Sequence, residues 1–200
     1  MSNLPTVFLA RHGETAWSLS GQHTGLTDLP LTERGEANAR TLATPLAGMA
    51  FSLVLTSPLA RAKRTCDLAG FGGVAVDDPD LVEWDYGAYE GKRTVDILAG
   101  QPGWKLFRDG CPGGESPADV GRRADRLIAR VRAANANVLV FSSGHILRVI
   151  GARWLGLPPA GGAYFLLGTA SLSALSYEHD TTEPVHRFWN DMRHLTVANE

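Results

Sequence analysis

Arg11, His12, Gly13 and Glu14 stand together directly after the short apolar run Val7–Ala10. An imidazole nitrogen can attack phosphorus and carry the phosphoryl group that results. That chemistry needs cations nearby, because the phosphoryl oxygens stay negative throughout. Arg11 is adjacent to the histidine, and Arg61 lies just beyond a second apolar run, Leu53–Thr56. Gly13 lets the backbone turn closely beneath a ligand. By residue chemistry alone, a single histidine after a strand serves structure more often than catalysis. The placement of His12 and Arg61 after two separate strands brings the two readings level.

These residues must be delivered by elements that converge. Val7–Ala10 reads as a first buried strand, and Trp17–Leu31, rich in Gly, Thr and Pro, as a long loop over its end. Thr32 is placed to cap a helix in which Ala37, Ala39, Leu42 and Ala43 favour continuation, with Pro45 weakening its end. Leu53–Thr56 is the second strand. Ser57 and Pro58 follow as N-cap and N1 of a helix over Leu59–Leu68, with Arg61 in its first turns. Val74–Val76 is a third, short strand. Asp77–Gly91 reads as irregular, aromatic and acidic, and Thr94–Leu98 as a short helix. After the break at Gly110–Gly114, Ser116, Pro117 and Asp119 form a capping-box pattern. The helix behind it carries Val120, Ala124, Leu127, Ile128 and Val131 at helical spacing. Arg122, Arg126 and Arg130 on another face read as a solvated stripe, not a binding site. Val138–Phe141 is the fourth strand, and it ends in Ser142, Ser143, Gly144 and His145. Ile146–Leu155 then reads as a helix, and Leu172–Tyr177 and Val185–Trp189 as late strands. Alternating strands and helices without a repeat indicate one layered α/β domain over residues 1–200. In a mostly parallel sheet, the ends of strands one, two and four can meet.

Composition excludes several classes. The 200 residues are 44% hydrophobic and 20% charged, with a formal net charge of -2. No basic excess exists to hold a nucleic-acid backbone. The first apolar run is too short for a signal sequence or a membrane span, and no basic leader precedes it. A cytoplasmic protein with no membrane or nucleic-acid partner is expected. Of 19 basic residues only Lys63, Lys92 and Lys105 are lysines. Cys66 and Cys111 form no CxxC pair and are expected to stay reduced, the first as packing and the second as a loop thiol.

Five ordered blocks, LARHGETAW, HTGLTDLPLTERG, LTSPLARAKRT, EWDYGAYEG and SSGHILR, resemble the signature of the histidine phosphatase family, which includes the phosphoglycerate mutases. The resemblance implies a three-layer α/β/α fold around a mostly parallel mixed sheet. It also implies phosphoryl transfer through a phosphohistidine, with no cofactor and no metal. His12 then matches the nucleophile, Arg11 and Arg61 the paired phosphate-binding arginines, and Glu83 the proton donor. Thr24, Gly25 and Tyr86 match substrate contacts. Taken alone, Glu83 would read as an exposed loop carboxylate and Tyr86 as packing.

Two positions depart from the family pattern. Ser18 stands where asparagine often contacts phosphate. Ser143, beside Gly144, stands where the second catalytic histidine belongs, and His145 follows two residues later. Serine is neutral and shorter, and losing a charged donor to the transferring oxygens costs about 2.7–4 kcal/mol. His145 turning inward to compensate, or a weakened site, both fit. The segment Gly91–Gly114 lacks the paired arginines of the mutase branch. The blocks around Thr24 and Glu83 are closer to the sugar-bisphosphate phosphatases, sedoheptulose-bisphosphatase among them. The expected function is hydrolysis of small sugar phosphates or bisphosphates. Phosphoglycerate mutase and a phospholigand-binding protein with weakened catalysis are the alternatives.

Overall fold

The computed structural model describes residues 4–195, so Met1–Asn3 and residues 196–200 lie outside the described part, including the very start on which the leaderless reading rests. Among the described residues six strands form one sheet: β1 (Val7–Arg11), β2 (Leu53–Thr56), β3 (Val76–Asp77), β4 (Val138–Ser142), β5 (Leu172–Tyr177) and β6 (Pro184–Asp191). Their order is β3-β2-β4-β1-β5-β6. β1, β4, β2 and β3 run parallel, whereas β5 and β6 are antiparallel to their neighbours. The helices are α1 (Ala16–Ser20), α2 (Glu33–Thr41), α3 (Ala43–Leu46), α4 (Ala60–Leu68), α5 (Thr94–Gly100), α6 (Leu106–Asp109), α7 (Pro117–Ala133) and α8 (Gly144–Trp154).

Strand side chains alternate between faces, and both faces of β1 are apolar. Val7 and Leu9 pack with Val138, Val140, Leu127 of α7 and Ile150 of α8. Phe8 and Ala10 point the other way, into a cluster with Leu139, Phe141, Leu46 of α3 and Cys66 of α4. A sheet apolar on both faces needs a helical layer on each side, which gives the expected α/β/α sandwich. Cys66 and Cys111 are both buried free thiols, and burial pushes each up to about 12, which makes them unreactive packing groups. Cys111 thus belongs to the core although it sits in a loop.

Several expectations shift. Trp17–Leu31 is not all loop, because Thr15 and Ser18 close a capping box on α1 and Gly21, in the left-handed region at φ 77°, ends it. Leu59, not Ser57, is the N-cap of α4, because the chain stays extended there at ψ 139°. Asp28 of the preceding loop takes the Ala60 N–H at 2.8 Å in place of a local cap. The third strand is Val76–Asp77, starting two residues later than expected. Helix α6 and a 3-10 turn over Pro159–Tyr164 carry no periodicity long enough to read. The Ser116 capping box forms as predicted. The arginine stripe is half-exposed and paired: Arg126 with Asp80 at 2.5 Å, Arg130 with Asp78 at 2.5 Å, and Arg122 with Asp119.

Candidate active site

The register of β1 on β4 sets Arg11 beside Ser142. The His12 N–H then bonds to the Ser142 carbonyl at 2.8 Å, and the Ser57 N–H to the Phe141 carbonyl at 2.9 Å. The C-terminal ends of β1, β4 and β2 therefore meet at one edge of the sheet. A cavity of about 270 Å³ opens there, and Arg11, His12, Glu83 and His145 all reach its wall.

His12 is buried, and its Nδ1 donates to the Gly13 carbonyl at 2.7 Å. A carbonyl can only accept, so Nδ1 carries the proton and Nε2 keeps a free lone pair. Burial, followed by the charges of Arg11 and Arg61, holds the ring's proton affinity well below the ordinary histidine value. The local turn depends on Gly13, since any Cβ there would collide with the Gly35 carbonyl. Arg11 donates to the Leu167 carbonyl. Its guanidinium lies over Gly144, whose absent Cβ would stand 3.2 Å from the guanidinium carbon.

Arg61 is fully buried. Its Nη atoms hold the carbonyls of Thr27 at 2.9 Å, Thr24 at 3.2 Å and Gly25 at 2.8 Å. The Gly25 N–H bonds to Glu90 at 2.9 Å. Arg61 and Gly25 thus fix the loop behind the cavity, while Thr24 and Ser18 reach the wall. The Ser18 hydroxyl accepts the Thr15 N–H at 2.9 Å, which closes the capping box, and donates to the Thr15 carbonyl at 3.0 Å.

Glu83 is buried, not an exposed loop carboxylate. It accepts the N–H groups of Trp84 at 2.9 Å, His145 at 2.9 Å and Ile146 at 2.8 Å. Its segment is clamped from behind by Arg123, which pairs with Glu115 at 2.7 Å and donates to the carbonyls of Asp80 and Val82 at 2.8 Å. Arg123 stands in α7 next to the exposed Arg122, and nothing in the local sequence marks it as the arginine drawn inward.

Ser143 is the N-cap residue of α8, yet its side chain makes no cap bond. Its Oγ is buried and unpartnered, as are Arg11 Nε, Arg61 Nε and Ser171 Oγ. His145 Nδ1 lies 2.5 Å from the Tyr86 hydroxyl, and both residues reach the cavity. His23 and Arg148, not singled out from sequence, also line it. Arg148 follows His145 by one helical turn, a spacing that sets both on one face. The carboxylate–imidazole cluster of Glu178, His179 and Glu183 is exposed, in the turn after β5. Because β5 runs antiparallel to β1, that turn is at the opposite edge of the sheet.

A parallel strand edge with a buried imidazole and an arginine in a polar cavity defines an α/β enzyme of phosphoryl transfer. The chain belongs to the histidine phosphatase superfamily (branch 1), matched over residues 7–191. It is similar to an acid phosphatase of Mycobacterium tuberculosis, 40% identical over 179 residues, covering 86% of this chain and 87% of that protein. It is also similar to sedoheptulose 1,7-bisphosphatase of Saccharomyces cerevisiae, 38% identical over 186 residues, covering 76% of this chain and 68% of that protein. Among solved structures, the product of a Mycobacterium tuberculosis open reading frame matches with a TM-score of 0.88 at 37% identity, over 93% of this chain and 97% of that one. The chain is a phosphomonoester hydrolase of the histidine phosphatase type, and its partner is a small phosphorylated molecule. No helix among the described residues is long and apolar enough to cross a membrane.

Proposed function

We propose that the chain hydrolyses small sugar phosphates or bisphosphates through a phosphohistidine at His12. The observation that carries this reading is the His12 ring, with Nδ1–H tied to the Gly13 carbonyl and Nε2 unprotonated in the cavity beside Arg11. Nε2 attacks phosphorus as the bond to the leaving oxygen breaks. Arg11 in the cavity wall balances the charge on the phosphoryl oxygens directly, while Arg61, behind the wall with its Nη groups on loop carbonyls, adds its positive field from there. Glu83 is the one carboxyl group in the described cavity wall. It gives its proton to the leaving alkoxide, then takes a proton from the water that attacks phosphohistidine, which releases phosphate and frees His12.

Ser18, Thr24 and Tyr86 line the same cavity, and a polar wall suits a hydroxylated sugar. The likeness to a sedoheptulose bisphosphatase supports the same class. The test is a phosphate-release panel over sugar mono- and bisphosphates, phosphoglycerates and an aryl phosphate. Acid-labile, base-stable label on His12 with preferred release from sugar esters is expected. Label elsewhere, phosphate retained on a phosphoglycerate, or tight binding without turnover would replace this reading.

A further inference from the structure

Ser143 leaves the transferring phosphoryl group without the histidine that the family pattern places there, and the nearest imidazole in the cavity wall is His145. Three observations bear on the state of that ring. Its Nδ1 stands 2.5 Å from the Tyr86 hydroxyl and 3.9 Å from the nearest Glu83 oxygen, so its hydrogen bond is to the phenol. Tyr86 is buried, and its hydroxyl has no other hydrogen-bond partner among the described residues, so Nδ1 is the one acceptor within reach of its proton. The remaining ring nitrogen, Nε2, bonds to nothing in the described protein and is not sealed off from the cavity.

We propose that Tyr86 is a positioning residue: its hydroxyl locks His145 as the neutral tautomer that presents Nε2–H to the phosphoryl oxygens, replacing the charged donor absent at Ser143. This rests on the phosphoryl-transfer reading above. The groups facing the ring agree with a neutral state. Arg11, Arg148 and His23 raise the cost of a second positive charge, and Glu83, the one acidic neighbour, is already held by the backbone N–H groups of His145 and Ile146. Burial and those cations push His145 well below the ordinary histidine value, while burial pushes the Tyr86 phenol well above its own. The pair is therefore a neutral imidazole and a neutral phenol, and a hydroxyl donating to Nδ1 is the arrangement that leaves neither polar group of the pair unmatched. Phe107 and His23 flank the ring at centroid distances of 5.4 and 6.0 Å and limit its rotation.

The test combines ring nitrogen NMR on the free enzyme with single-turnover phosphorylation by an aryl phosphate, a leaving group that does not need Glu83. Wild type should show His145 as one neutral tautomer, protonated on Nε2. Tyr86→Phe should give exchange between tautomers and slow phosphorylation about three- to tenfold. His145→Ala should slow it about a hundredfold, and His145→Gln, which keeps a neutral N–H, should recover to within about tenfold of wild type. The wild-type rate should show no step from this ring between about pH 6 and pH 8. An Nδ1–H tautomer, a charged ring at neutral pH, or a His145→Ala rate within twofold of wild type would overturn the proposal. A Tyr86→Phe effect confined to KM with the tautomer unchanged would make Tyr86 a substrate contact only. Loss of the His12 label in all forms would remove the phosphohistidine reading, and the tautomer measurement would still stand by itself.

Discussion

Glu83 caps the helix whose N-cap residue is Ser143. The serine side chain makes no cap bond, and the Glu83 carboxylate takes the N–H groups of His145 and Ile146 from 62 and 63 positions away in the chain. One carboxyl group therefore holds the start of α8 and faces the cavity. Glu83→Gln keeps the shape but turns an amide donor toward the His145 or Ile146 N–H. A loss of about 1–2 kcal/mol in denaturant unfolding is expected. Sugar-phosphate phosphorylation of His12 should fall more than aryl-phosphate phosphorylation, measured in single turnover. Equal falls would leave Glu83 with the cap alone.

The buried histidines make stability depend on pH with a definite sign. Burial is the leading cause that lowers His12, His23, His145 and His186 from the ordinary 6.5. Unfolded, each ring takes a proton as pH falls through about 6.5; folded, it resists until lower pH. Stability from these groups is complete above about pH 6.5 and is lost as pH drops toward the lowered folded values. Thermal unfolding should show Tm falling between about pH 6.5 and pH 5, with a shallower slope in His186→Gln. For catalysis the same shift keeps His12 unprotonated, so aryl-phosphate turnover should hold at pH 6 relative to pH 7.5.

Arg61 holds three loop carbonyls with one guanidinium. A lysine keeps the charge but offers a point donor in place of a planar fork. Arg61→Lys should raise KM and lower kcat together, by about tenfold or more overall, and should speed proteolysis within residues 22–28. An unchanged cleavage rate would show that the loop does not depend on the fork.

Arg123 and Glu115 form a largely buried pair behind the segment that carries Glu83. Arg123→Met leaves the Glu115 carboxylate without its cation, and a loss of about 3 kcal/mol is expected from urea midpoints. Adding Glu115→Gln should recover part of it, since the stranded charge is then removed.

Metal chelation should leave activity intact, because guanidinium groups provide the positive field at the cavity. Phosphate release after exhaustive EDTA treatment checks this; loss restored by a divalent ion would overturn it.

The continuous apolar runs Val7–Ala10 and Val138–Phe141, the Ser116 capping box and the Arg11–His12–Gly13 turn are local features, so the sequence alone determined the central strands, the long helix and the layered class. The ordered blocks determined the family and drew attention to Ser143. Other features depended on chain segments far apart in sequence. Asp28 moved the cap of α4, and Arg61 turned out to grip loop carbonyls. Glu83 was buried by a helix more than sixty residues away, and Arg123 was buried by Glu115 and the carbonyls of residues 80–83. Tyr86 met the ring of His145 across 59 residues. Helical and strand periods report which face of an element is apolar. The partner of a buried charge or hydroxyl is set by how faces pack against one another, and only the tertiary structure decides that.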